Sequence, residues 1–221
     1  MSDREAAMAR IRAAFAATPH PGDPFLLGSR EGCEPDDEVG PFEGKHDWTA
    51  LDAAFLDRHG AALSFLSEGG FRYYLPAFLV ADLRRELSAA DPLFHLVHGF
   101  SDSAHEQRVG ERAFVVRFGK SAFVNPLRYG AATAYDYARW RLSVFAREEA
   151  EAIVAYLRCR RDEADMPHER REIDAALDGF WLERSRSAPT AAELERHLRE
   201  RAEYVEALRA RHGSPGPRAE G

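Results

Sequence analysis

Apolar positions recur at three- and four-residue steps through most of the chain, the spacing of one face of a helix. Met8, Ile11 and Phe15 predict a first helix over residues 4–17, ended by Thr18-Pro19. Asp47 is a good N-cap for a second helix, 48–58, with Trp48, Leu51 and Phe55 on its inner face and Gly60 at its end. Ser67 caps a longer helix over 68–88, in which Phe71, Tyr74, Leu75, Phe78, Leu79 and Leu83 form a wide apolar stripe. Pro76 stands inside that stripe and has no N–H for the carbonyl of Arg72, so a kink or break is expected there, with tyrosine hydroxyls or water satisfying the carbonyl. Asp91-Pro92 opens a short helix ending at Gly99. The helical pattern returns near Thr133. Ala150, Ile153, Val154 and Leu157 define a helix over 146–164, and Ile173, Ala176, Leu177, Phe180 and Trp181 define another beyond Pro167.

Two stretches break the period. Residues 18–46 hold Pro19, Pro21, Pro24, Pro35 and Pro41 and read as a long acidic loop. Residues 100–131 are the least helical, with Ala113 to Phe118 as a strand or extended segment, and one strand makes no sheet. The expected fold is therefore mainly α: an irregular multi-helix single domain over 1–187, with at most a minor β element. A capping box of Thr190 and Glu193 then opens a charged C-terminal helix, the appendage 188–212, whose seam is Leu194, Leu198, Val205 and Leu208. A disordered tail is expected over 213–221.

Composition changes this picture little. A chain of 221 residues, 45% hydrophobic and 30% charged, is an ordinary globular sequence and excludes collagen-like, low-complexity and disulfide-scaffold classes. The longest strongly apolar run, Leu75 to Ala81, contains Pro76 and falls far short of the ~20 residues of a membrane span. The start, Met-Ser-Asp-Arg-Glu, has no apolar signal region. A cytoplasmic protein with Cys33 and Cys159 reduced, and with no membrane contact, is the expectation. Charge does change the picture. The net charge of −7 weighs against nucleic acid as a partner. It is also uneven: Glu31, Glu34, Asp36, Asp37, Glu38, Glu43 and Asp47 crowd one stretch, and Arg108, Arg112, Arg117, Lys120, Arg128, Arg139, Arg141 and Arg147 another.

The run Leu63-Ser-Phe-Leu-Ser-Glu-Gly-Gly-Phe-Arg-Tyr-Tyr-Leu-Pro-Ala-Phe-Leu79 resembles the signature of an uncharacterised bacterial family, in which an F-R-Y-Y-L-P-A-F-L phrase follows an Asp-Glu pair and a Trp-containing helix. Here those are Asp37-Glu38 and Trp48, and Ala152 to Leu157 and Ile173 to Trp181 resemble the family's later helices, so the resemblance covers about residues 10–182. Ala146-Arg147 replaces a usual Ser or Thr cap, and Gly69-Gly70 a better helix former. The family has no established activity, so the resemblance implies a fold and a bacterial origin and brings no catalytic residues.

Candidate chemistry is sparse. His95 and His98 share a helix face, with Asp102 and His105 close behind, a donor set suited to zinc or iron. No H-E-x-x-H occurs, because Val109 stands where the second histidine would be. The bland alternative is that these histidines bond backbone groups or cap a helix end. Gly119-Lys120-Ser121 resembles the end of a P-loop, but Phe114 stands where the first glycine is needed. Gly99-Phe100-Ser101-Asp102-Ser103 lacks the second glycine of a nucleophile elbow. Cys159, among Arg158, Arg160 and Arg161, reads as a surface cysteine. Tyr135, Tyr137, Arg139, Trp140 and Arg141 interleave aromatics with arginines, which serves either stacking on a ligand or helix packing. Arg72-Tyr73-Tyr74 and the acidic pair Asp37-Glu38 are the remaining binding candidates. With no nucleophile, base and oxyanion site together, the expected function is binding another protein in a regulatory, immunity-like role, without a cofactor. A zinc-dependent hydrolase using His95, His98, Asp102 and His105 is the alternative. The sequence sets no oligomeric state.

Overall fold

The computed structural model describes residues 2–28, 34–110, 112–124 and 130–196. The described residues are mainly helical, with one two-stranded antiparallel hairpin. By internal contacts the chain divides between Ala188 and Pro189.

Helix α1, Asp3–Phe15, starts on a capping box in which Ser2 and Glu5 bond each other's backbone N–H groups. Ala7, Ile11 and Phe15, four residues apart, are its buried face. In the following segment, the expected 18–46 loop is in part folded. It contains a 3-10 turn at Asp23–Phe25, helix α2 at Glu34–Val39 and a second 3-10 turn at Gly40–Phe42. Leu26, Val39 and Phe42 are buried there. Phe42 is the reason the segment is ordered: its ring meets Tyr74 at 4.8 Å and Phe55 at 4.9 Å. The prolines hid these anchors because the anchors are spaced by contact and not by period.

The expected helix 48–58 is two pieces. Asp47 caps a 3-10 turn, Trp48–Ala50, and Asp52 then caps α3, Ala53–Arg58. Helix α4, Ala62–Phe65, leads into α5, Glu68–Leu83, which Ser67 caps as expected. Nearly all of α5 is buried, so it is the centre of the core and not a half-solvated face. Two expectations about α5 fail. The helix runs on through Pro76 without a break, and it ends at Leu83 and not at 88. The end is a Schellman turn: Glu86 N–H donates to the Ala81 carbonyl and Arg85 N–H to that of Asp82, with Arg85 at φ 59°. A residue other than glycine in that left-handed conformation costs about 1–2 kcal/mol, so the sequence carries no glycine signal for the stop. The Gly69-Gly70 pair at the start of α5 also has a reason. A Cβ on Gly70 would stand 2.9 Å from Leu66 Cδ2 and 3.1 Å from the Leu26 carbonyl, so the pair lets the preceding segments approach the helix.

Asp57 of α3 holds the turn after α5. Its carboxylate accepts from the backbone N–H groups of Ser88, Ala89 and Ala90 and from the Ser88 hydroxyl. Those bonds, that of Ala90 foremost, hold its carboxyl well below the ordinary value of 3.8. The contribution to stability is therefore complete above that value and is lost as pH falls below it. Asp57→Ala should lower the melting temperature at pH 7, and the gap to wild type should close on acidification below about pH 4. A gap that stays constant down to pH 2 would show that the turn is held by other groups.

Asp91 and Pro92 open α6, Pro92–Val97. Gly99, at φ 91°, ends it where a Cβ would meet the Ala134 carbonyl at 2.9 Å. The hairpin follows: β1, Asp102–Val109, pairs with β2, Arg112–Gly119, in a register that sets Asp102 opposite Gly119 and Val109 opposite Arg112. The second strand covers the apolar run legible in the sequence. The first, Asp-Ser-Ala-His-Glu-Gln-Arg-Val, lacks apolar alternation and had no signal. Thr133 then caps α7, Ala134–Leu142. Helix α8, Arg147–Glu163, packs on α1 and α5, and α9, Pro167–Ala176, continues through a π turn at Leu177–Trp181 into α10, Leu182–Ser187. The Trp181 indole N–H donates to the Leu96 carbonyl at 2.9 Å.

The second unit begins at Pro189. Thr190 and Glu193 make the reciprocal bonds of a capping box, and residues 191–196 are helical. The rest of the expected helix to His212, and the tail 213–221, lie outside the described residues.

Candidate functional site

Helix α7 presents an exposed aromatic side chain to solvent. Ala134, Ala138 and Leu142 bury its inner face. The helical period then turns Tyr137 and Trp140, three residues apart, to the other side. Their rings are stacked, 6.1 Å between centroids and 29° between planes, and Trp140 is 56% exposed. Arg139 is exposed, with its guanidinium 5.5 Å from the Tyr135 ring. Phe123, 90% exposed, is joined by a β-bridge to Thr133 at the start of the same helix. Tyr135 and Arg141 face inward instead. Tyr135 donates to the Gly179 carbonyl at 3.2 Å, and Arg141 donates to the Leu63 carbonyl and lies 4.6 Å from the centre of the Phe71 ring. The interleaved stretch thus divides: Tyr135 and Arg141 are packing, Tyr137 is half-buried at the edge, and Arg139 and Trp140 are surface.

Arg72, Tyr73 and Tyr74 do three different things. The Arg72 Nε–H donates to both oxygens of Glu149, at 3.0 and 2.8 Å, in a buried ion pair. Tyr73 donates to the His46 carbonyl at 2.6 Å. The Tyr74 hydroxyl bonds the carbonyls of Lys45 and Phe42 at 3.0 and 3.2 Å. These bonds tie the 40–46 segment to α5, in place of the expected bond to the Arg72 carbonyl. Burial pushes the Tyr73 and Tyr74 hydroxyls up, so both stay protonated donors. Asp37 is exposed on α2, and Glu38 is half-buried, its Oε2 buried without a hydrogen-bond partner among the described atoms.

The expected metal set lies on separate supports. The His95 ring packs between Phe71 and Phe94, and burial with the nearby Arg141 charge pushes its pKa down to about 3. His98 ends α6 with its ring 4.7 Å from Phe94, and burial lowers it also. Asp102 accepts from the backbone and hydroxyl of Ser121 at 2.9 and 2.8 Å. His105 is on β1 opposite Val116, and its side chain lies outside what the structure describes. Cys159 is a correction: it is 7% exposed, and burial followed by the Glu163 charge pushes the thiol up, away from a reactive thiolate.

A group that sequence reasoning missed does come together. His20, Asp23 and His46 place one ligand-type atom each within 4.8 Å of one another, and theirs is the one such group of three among the described residues. The sequence offered only a His-x-x-Asp step in a proline-rich stretch, because His46 arrives by docking of the chain and not by spacing.

Comparison with protein-family models, with curated proteins and with solved structures finds no match to this chain.

Proposed function

We propose that this chain acts by binding a partner protein, in a regulatory, immunity-like role, through the outer face of α7. One observation carries the reading: Trp140 is 56% exposed, with the half-buried Tyr137 stacked against it and the exposed Arg139 beside it. Trp, Tyr and Arg are the residue types that dominate binding energy at protein interfaces. An exposed tryptophan stacked on a half-buried tyrosine presents rigid apolar area with little side-chain entropy left to lose. The partner that fits is an apolar depression with acidic groups at its rim, to receive the ring pair and the guanidinium. The net charge of −7 favours a protein over a polyanionic nucleic acid.

The test is capture from the producing cells with the full chain as bait, followed by titration of the captured protein. Trp140→Ala should weaken binding by about 2 kcal/mol, roughly 30-fold. Its melting curve should stay at the wild-type position, since the ring is not part of the core. If the partner is a toxin, co-expression should rescue growth with the wild-type chain and fail with Trp140→Ala. Equal affinity for wild type and variant would place the interface elsewhere, and the absence of any saturable protein partner would remove the reading.

A further inference from the structure

We propose that His20, Asp23 and His46 form a binding site for a divalent transition-metal ion of the zinc class. The site rests on residues other than those of α7, so it stands or falls apart from the partner-binding reading. Asp23 Oδ1 is 3.0 Å from His46 Nε2 and 4.0 Å from His20 Nε2. Ligand atoms around a tetrahedral zinc stand about 3.3 Å apart, given metal–ligand distances of about 2.0–2.1 Å. The three groups therefore need only a small closure to share one ion. Two imidazoles and one carboxylate suit zinc, iron or nickel and do not suit magnesium or calcium, which take oxygen.

The support behind the ligands is the second argument. The His20 ring is held by edge contacts with Tyr73 at 4.8 Å and Tyr74 at 5.8 Å. The His46 backbone is held by the Tyr73 hydroxyl at 2.6 Å. Asp23 is held by the Gly44 N–H at 3.2 Å. Ligands from two turns are thus fixed against one face of the core helix α5. The ligating form is favoured at two of the three: His20 is lowered by burial and by His46, and Asp23 is lowered by His46 and Gly44. His46 is exposed, which leaves the remaining coordination positions to water.

Two contacts oppose the ion. The Gly22 N–H donates to His20 Nδ1 at 3.0 Å, so without metal the His20 proton is on Nε2 and points at Tyr74. Loading through Nε2 moves that proton to Nδ1 and breaks the Gly22 bond. The His46 proton moves to Nδ1 on its exposed ring. Zinc uptake therefore exchanges the Gly22 and Tyr74 hydrogen bonds of His20 and the His46–Asp23 bond for three metal bonds, and the Gly22 amide turns outward.

The experiment uses the full chain, stripped with chelator and titrated with zinc chloride by calorimetry, with metal content measured after dialysis. Wild type should bind one zinc per chain, and its melting temperature should rise with zinc concentration. Cobalt(II) in its place should give the ligand-field spectrum of a low-coordinate N/O site. His46→Ala and Asp23→Asn should each weaken binding by more than the ~10–100-fold that loss of an outer-shell partner costs. Both side chains are solvent-accessible, so the metal-free variants should melt as cooperatively as wild type. His98→Ala, a histidine outside the group, should bind as wild type does. Absence of one-to-one binding in wild type, or affinity retained in either His46→Ala or Asp23→Asn, overturns the proposal.

Discussion

Glu149→Ala should destabilise the protein by about 3–5 kcal/mol, the cost of leaving one member of a buried ion pair without its partner. Glu149 is 1% exposed and serves three groups at once. Its oxygens take the Arg72 Nε–H at 3.0 and 2.8 Å, the Thr18 hydroxyl at 2.6 Å and the Ala146 N–H at 2.8 Å. The last bond matters because Ala146 has no side chain able to cap α8. The glutamate at the third helical position closes that end from inside the helix. Removing it strands a guanidinium, a hydroxyl and a helix terminus together. At roughly 2–4 °C per kcal/mol for a domain of this size, the melting temperature should fall by about 10 °C or more. The double variant Arg72→Met/Glu149→Leu should recover a large part of the loss, since an apolar pair of similar volume avoids the desolvation of both charges. Urea midpoints decide the matter. A single-variant loss below about 1 kcal/mol would mean that water reaches the pair.

Phe78→Ala and Leu75→Ala should each destabilise by about 2–5 kcal/mol, the range for large-to-small changes in a packed core. Both side chains are 0% exposed on α5. Phe78 stacks on Phe42 at 6.5 Å between centroids, so its loss also loosens the 40–42 turn that the aromatic cluster holds. Helix α5 is enclosed by α1, α3, α6 and α8 and has little room to collapse into a cavity. Phe78→Ala should therefore fall in the upper part of the range. Midpoints within error of wild type would place this helix face at the surface.

The helices were legible where local signals were sufficient. Ser67, Asp91 and Thr190 all cap the elements their side chains announced. The apolar stripe from Phe71 to Leu83 was legible, because a buried helix repeats its contacts every turn, but the burial of the other faces of α5 was not. Three further features were not legible. Arg85 ends α5 in a left-handed conformation that sequence assigns to glycine. The strand Asp102–Val109 is polar and owes its conformation to its neighbour in the hairpin. The 18–46 segment folds around Phe42 and Tyr74, residues 32 apart in sequence.

The candidate sites divide in the same way. Sequence alone singled out Arg72-Tyr73-Tyr74 and the aromatic–arginine stretch, because residue types in short order can be read without a partner. It treated each stretch as a unit. The structure splits them, since a helix turns neighbouring residues about 100° apart. Arg72 goes to a buried carboxylate 77 positions away, and the two tyrosines go to the segment that carries His46. The helical class, the caps and the central apolar helix were determined by the sequence itself, because helices are stabilised by contacts within a few residues. Which side chains meet across the fold was decided by tertiary packing: Glu149 with Arg72, and His20 with Asp23 and His46. No local pattern encodes a contact between residues whose separation is set by the docking of whole segments.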